Sequence, residues 1–168
     1  MDKKNTRILV SACLLGVNCR YDGKNGRRDE VLKLLREYEL IPVCPEQMGG
    51  METPREPSEC RRDGGRVQVM NRKGQDVTEY FEKGGEEALK IAKLYGCRYA
   101  ILKERSPSCG SGIIYDGTFS GAKTAGDGVT ARLLKEHGIK VVGESGILSL
   151  ISEISSDMMD DNIKITEE

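Results

Sequence analysis

Histidine is almost missing from this chain: 168 residues contain one, His137. Any metal site therefore falls to cysteine and carboxylate. No run approaches 18 consecutive apolar residues, which excludes a transmembrane helix. No Walker or GxGxxG pattern occurs, so no motif supports binding of nucleotide phosphates. No CxxC pair occurs, which argues against a thiol-redox protein. Nor is there an internal repeat. Charge of one sign is not in excess: 26 Lys plus Arg face 27 Asp plus Glu, a net charge of −1. That balance excludes a strongly basic nucleic-acid binder but leaves room for a local basic patch. An apolar content of 38% with scattered charge excludes disorder.

What is present is an alternation of short β-like runs with helical periods. Length suits a single domain, residues 1–168, with a core over about 7–155 and an acidic, frayed tail over 156–168. Strands are expected at residues 7–12, 40–43, 99–102 and 140–142, with a minor edge strand or hairpin arm at 66–70. Residues 48–65, rich in Gly and Pro, read as a loop. Helical stripes run through Val31, Leu34, Leu35 and Tyr38, from Val77 to Tyr95, through Ala131 and Leu134, and over 147–154. Asp76 is the expected N-cap of the second, and Gly84-Gly85 weakens its middle. A Gly-rich segment at 110–128 surrounds a hairpin at 113–117. The expectation is an α/β fold, a mostly parallel open sheet of Rossmann-like type, with helices on both faces and a small β-hairpin insertion.

Ligands of such sheets gather outside the carboxyl ends of the strands, and that rule organises the six cysteines. Cys13 follows the first strand, Cys44 the second, and Cys109 lies a few residues past the third. They should converge on one sheet edge. Cys97 lies at the opposite end of the third strand and reads as packing. Cys60, in a charged loop, reads as a spare thiol. Cys19, six residues after Cys13, is ambiguous. The N-terminal Val10-Ser11-Ala12-Cys13 mimics a lipoprotein box, but only three apolar residues precede Ser11, too few for a signal peptide. The expected location is the cytoplasm, where thiols stay reduced.

Structural zinc usually closes with four Cys or His ligands. Three thiolates with an open position fit a catalytic metal or an iron–sulfur cluster. Polar neighbours suit catalysis. Glu46, two residues after Cys44 and across Pro45, reads either as a general base or acid or as a solvated loop residue. Ser106, Ser108 and Ser111 flank Cys109 as hydrogen-bond donors to a cluster or substrate, or as plain turn residues. Arg20-Tyr21-Asp22-Gly23 offers a cation, an aromatic face and a carboxylate, or simply a turn.

Three segments together carry a resemblance. They are Ser11-Ala12-Cys13-Leu14-Leu15-Gly16 with Arg20-Tyr21-Asp22-Gly23, Val43-Cys44-Pro45-Glu46 with Gly49-Gly50, and Leu102-Lys103 with Ser106-Pro107-Ser108-Cys109-Gly110. In this order and spacing the chain resembles the thiouracil desulfurases, a small bacterial and archaeal domain family, over roughly residues 7–150. The resemblance implies a [4Fe–4S] cluster held by Cys13, Cys44 and Cys109, the three that topology selects. It implies Glu46 and Ser106 as the catalytic carboxylate and serine. Asp22 and Ser108 are further substrate-binding candidates. Many members lack a cysteine matching Cys19. Met51 stands where Leu is expected after Gly49-Gly50, a conservative change.

The implied activity is non-redox. An open iron polarises the C=S bond of a thiouracil-type base, water activated by Glu46 attacks the ring carbon, and Ser106 positions a proton or the ring. Uracil and sulfide are the products. The partner would be a small thiolated pyrimidine or its nucleotide; tRNA is disfavoured by the lack of a basic run, and no membrane partner is expected. The alternatives are a sulfur-carrier enzyme for thiolation and a non-catalytic metal or iron–sulfur module.

Overall fold

The structure, a computed structural model, describes residues 3–63 and 65–166. Four parallel strands form the central sheet: β1 (Arg7–Ser11), β2 (Glu39–Val43), β5 (Tyr99–Leu102) and β8 (Lys140–Gly143), in the order β2-β1-β5-β8. Two antiparallel hairpins stand apart from it, β3 (Ser58–Asp63) with β4 (Arg66–Asn71) and β6 (Ile113–Tyr115) with β7 (Lys123–Ala125). The helices are α1 (Asp29–Lys33), α2 (Pro45–Met48), α3 (Thr78–Tyr95), α4 (Val129–Glu136) and α5 (Ile147–Thr166).

The sheet reads as continuous apolar runs because both faces are covered. Alternate residues of each strand point to opposite faces. On one face Ile8, Val10, Tyr99 and Ile101 pack with Val31 of α1 and with Ile147, Leu150 and Ile154 of α5. On the other, Leu9, Ala100 and Leu102 pack with Leu89 and Ala92 of α3 and Ala131 and Leu134 of α4. A third cluster holds Cys60 and Val69 of the first hairpin against Val77 and Phe81 at the start of α3. This is the expected α/β fold.

Five local expectations change. Residues 58–63, read as loop among the Gly and Pro breakers of 48–65, form β3; full pairing with β4 holds it. Residues 34–36 wind as a 3-10 turn, so α1 is shorter than the apolar stripe suggested. The 113–117 turn opens into a wider loop before β7, because the buried Glu59 carboxylate accepts the N–H groups of Gly117 and Phe119, each at 3.0 Å. The acidic stretch from residue 156, expected to fray, continues α5 to Thr166. Tyr99 donates its hydroxyl to Asp157, and Met158 packs on the core. Asp76 caps α3 from one position further out than expected, accepting the Thr78 N–H at 2.9 Å.

The two glycines that weakened α3 as a helix have a packing reason. A Cβ on Gly84 would lie 1.9 Å from the Pro45 carbonyl oxygen, and one on Gly49 would lie 2.0 Å from the Tyr80 carbonyl oxygen. The short helix α2 is thus seated backbone-to-backbone on α3. Gly84→Ala is expected to destabilise the fold by about 1–3 kcal/mol, overpacking outweighing the gain in helix propensity, and to lower activity by shifting α2. Gly85→Ala, whose Cβ would meet Thr130 Oγ1 at an ordinary 3.4 Å, is the matched control. Denaturant titration of both variants checks this.

Candidate functional site

At the carboxyl edge of the sheet the chain leaves the strands in three places. After β1 it turns at once into a 3-10 turn, Ala12–Leu15, which carries Cys13. After β2 it passes Cys44 and enters α2, whose first residue is Pro45 and whose second is Glu46. Proline suits a first helical turn, where its missing N–H costs nothing. After β5 it runs through Lys103 to the Ser106–Gly110 turn. Ser11 ties the first and third exits together, its Oγ accepting the Lys103 N–H at 2.9 Å. The third turn is tight: Gly110 N–H donates to the Ser106 carbonyl at 2.9 Å. A Cβ on Gly110 would lie 2.6 Å from that carbonyl oxygen.

These exits frame a cavity of about 770 Å³. Cys13, Cys44 and Cys109 line it, with Glu46 and Ser106. Cys19 lines it too, buried, its carbonyl accepting the Cys44 thiol at 3.7 Å. The loop after Cys13 folds back far enough to bring a fourth thiol in. The other two cysteines lie elsewhere. Cys97 is core, as expected. Cys60, expected as a spare loop thiol, is instead buried in β3 and donates to the Pro107 carbonyl at 3.3 Å. His137 is exposed just past the end of α4, its Nδ1 near the Leu133 carbonyl.

The buried thiols are held in their protonated form. Burial pushes the Cys109 thiol up to about 12. The hydrogen bond with Cys13 pushes Cys19 up to about 11. Cys44 is raised further still, by its bond to Cys19 and then by burial. No thiol is joined in a disulfide. Among the described residues no three His, Cys, Asp or Glu side chains converge closely enough to hold a single metal ion. Soft donors ringing a roomy cavity fit instead a wider group that offers iron at separate corners.

Ser106 Oγ accepts the N–H groups of Ser108 at 3.1 Å and Cys109 at 3.0 Å. Two acceptances fill its lone pairs, so its one proton remains to donate. Glu46 gives Oε2 to the Arg55 guanidinium at 2.6 Å. Its Oε1 has no protein partner among the described residues.

Two candidates do not join this group. Ser108 is fully buried, its hydroxyl paired with Thr130 Oγ1 at 2.9 Å at the start of α4. Asp22 is not on the cavity wall. It accepts the Lys24 N–H at 3.1 Å and pairs with Arg20 at 3.3 Å, holding the loop that presents Arg20 to the cavity. Sequence reasoning missed Arg55, Arg72, Arg105 and Phe119, all cavity-lining. Glu46 pairs with Arg55 nine residues away, and no local pattern marks that pair.

An α/β domain with a thiol-lined cavity at the carboxyl edge of a parallel sheet is thus the class of protein that fold and site define. Residues 8–146 match the family model of the 2-thiouracil desulfurases. The chain belongs to the 2-thiouracil desulfurase family. Among its relatives is uncharacterized protein YbbK of Bacillus subtilis (strain 168), 43% identical over 150 residues, covering 86% of this chain and 99% of the relative. A solved structure of TudS, a [4Fe-4S]-dependent thiouracil desulfidase, is 43% identical with a TM-score of 0.79, covering 89% of this chain and 98% of that one. Among the described residues no helix is long and apolar enough to cross a membrane.

Proposed function

We propose that the chain is a desulfidase that removes sulfur from thiouracil-type pyrimidines by hydrolysis, releasing sulfide and uracil or a uracil derivative, without net redox change. Its best support is the gathering of Cys13, Cys44 and Cys109 with Glu46 and Ser106 on one cavity. TudS, at 43% identity, is described as [4Fe-4S]-dependent. In this chain Cys13, Cys44 and Cys109 would hold such a cluster. Bound by three thiolates, it supplies an open iron, a soft Lewis acid for a thiocarbonyl sulfur.

The chain's own residues do the rest. Glu46 Oε1 accepts a proton from water as it attacks the ring carbon. Ser106 donates its hydroxyl proton to the pyrimidine ring. The cavity is large for a base alone. Its wall carries Arg20, Arg28, Arg72 and Arg105, and the last three form no ion pair among the described residues. That rim favours a pyrimidine bearing a phosphate, a nucleotide, over the free base.

Protein purified without oxygen is expected to carry close to four irons and four sulfides per chain, with broad absorbance near about 400 nm. It should release sulfide from thiouracil and turn over thiouridine monophosphate at higher kcat/KM. Stoichiometric zinc, or no iron uptake with iron and sulfide supplied, overturns the reading. Sulfide handed to an acceptor rather than released favours a sulfur-carrier enzyme; a loaded but inactive protein favours a non-catalytic module.

A further inference from the structure

We propose that Arg55 is the positioning residue of this site: one guanidinium orients the Glu46 carboxylate and ties it to the loop that carries the fourth thiol. The proposal builds on the reading of Glu46 as proton acceptor.

The Arg55 side chain is 6% exposed and that of Glu46 16%. A guanidinium so far from water needs acceptors on every side. Arg55 has them. Nε donates to Glu46 Oε2 at 2.6 Å. Nη1 donates to the Glu52 carbonyl and to Thr53 Oγ1, both at 3.1 Å. Nη2 donates to the Cys19 carbonyl at 2.9 Å. The backbone is anchored as well, Arg55 N–H donating to the Tyr21 carbonyl at 2.8 Å. A planar fork held on three edges has one orientation, so Glu46 Oε2 is fixed in space. Gln47, the next residue on α2, donates to Thr53 Oγ1 at 2.8 Å and closes the frame.

The pairing is one-sided. Arg55 takes one carboxylate oxygen and leaves Oε1 without a protein partner among the described residues. A bidentate pair would bind both oxygens and serve structure alone. The Cys19 carbonyl also receives the Cys44 thiol at 3.7 Å, so the same acceptor links the Arg55 frame to the residue just before the Glu46 helix. Arg55 thus fixes the proton acceptor relative to the thiol wall.

A double-mutant cycle tests this on the iron-loaded protein, with Arg55→Gln, Glu46→Gln and the double variant. Arg55→Gln should keep iron, sulfide and the visible spectrum, hold KM within about threefold, and lose about 10²-fold in kcat, the cost of a misplaced catalytic group. In the Glu46→Gln background it should cost nothing further. Millimolar guanidinium, and not equal sodium chloride, should return part of kcat to Arg55→Ala. A crystal structure of Arg55→Gln should show the Glu46 carboxylate moved.

Loss of iron in Arg55→Gln and in the milder Arg55→Lys overturns the proposal, as does an equal kcat loss in both backgrounds. Wild-type kcat in Arg55→Gln beside a crippled Glu46→Gln overturns this proposal alone. Full kcat in Glu46→Gln overturns the reading of Glu46, and this proposal with it.

Discussion

Cys109→Ser is expected to yield a folded protein that retains less than about one-tenth of wild-type iron and has no measurable desulfuration, because a hydroxyl is a poor donor to iron–sulfur clusters. The fold should survive. Serine is close to cysteine in size, so the substitution neither overpacks the turn nor opens a large void. Cys13→Ser and Cys44→Ser should behave alike, and Cys97→Ser should not. Cys19→Ser is the informative comparison. Its sulfur shares the cavity, yet the family resemblance assigns the cluster to the other three, so it should keep most of its iron.

Loading should depend on pH in a fixed sense. The Cys109 thiol, raised to about 12 by burial, and that of Cys44, raised by its bond to Cys19, carry protons at neutral pH. Ligation requires thiolates, so protons compete with iron and loading releases them. Iron uptake should strengthen from about pH 6 to pH 9, and weaken as pH falls. Iron and sulfide analysis with the visible spectrum reads both predictions. Wild-type iron in Cys109→Ser would remove Cys109 from the ligand set.

Glu46→Gln should lower kcat by about 10²–10³-fold while leaving iron content unchanged, the range expected when a general base is lost. Glutamine preserves the shape and keeps an oxygen for Arg55. The position not paired with Arg55 then becomes an NH₂, which donates and cannot accept a proton from water. Loss of a charge-assisted bond at a mostly buried site should cost about 1–3 kcal/mol in stability. Urea titration measures that cost separately from kcat. The Ser106→Ala variant should lose less, about tenfold, as one hydrogen-bond donor to substrate is removed. An active Glu46→Gln protein with full iron would assign the proton transfer elsewhere.

The parallel strands and the residues just past their ends are legible along the chain. Short apolar runs separated by helical periods imply a parallel sheet, and its carboxyl edge is where Cys13, Cys44 and Cys109 then meet. Such patterns survive because backbone pairing in strands and helices obeys a local period. The β3 strand escaped notice because it is charged and lies between Gly and Pro breakers, and its pairing with β4 is what holds it. The persistence of α5 did so because its anchors, Tyr99 to Asp157, lie 58 residues apart.

What the sequence by itself determined, then, is the α/β class, the edge at which chemistry gathers, and three soft donors with a carboxylate and a serine beside them. Only the tertiary structure decided which way the polar side chains turn. It sent Ser108 inward to Thr130 and Asp22 to its own loop, drew Cys19 into the thiol wall, and gave Glu46 its partner in Arg55. It also turned two helix-weakening glycines into the seat of α2. The reason is that a buried polar group must find its partner among whatever neighbours packing supplies. Most of those neighbours lie nine or more residues away, as Arg55 does from Glu46 and Thr130 from Ser108, beyond the reach of any local period.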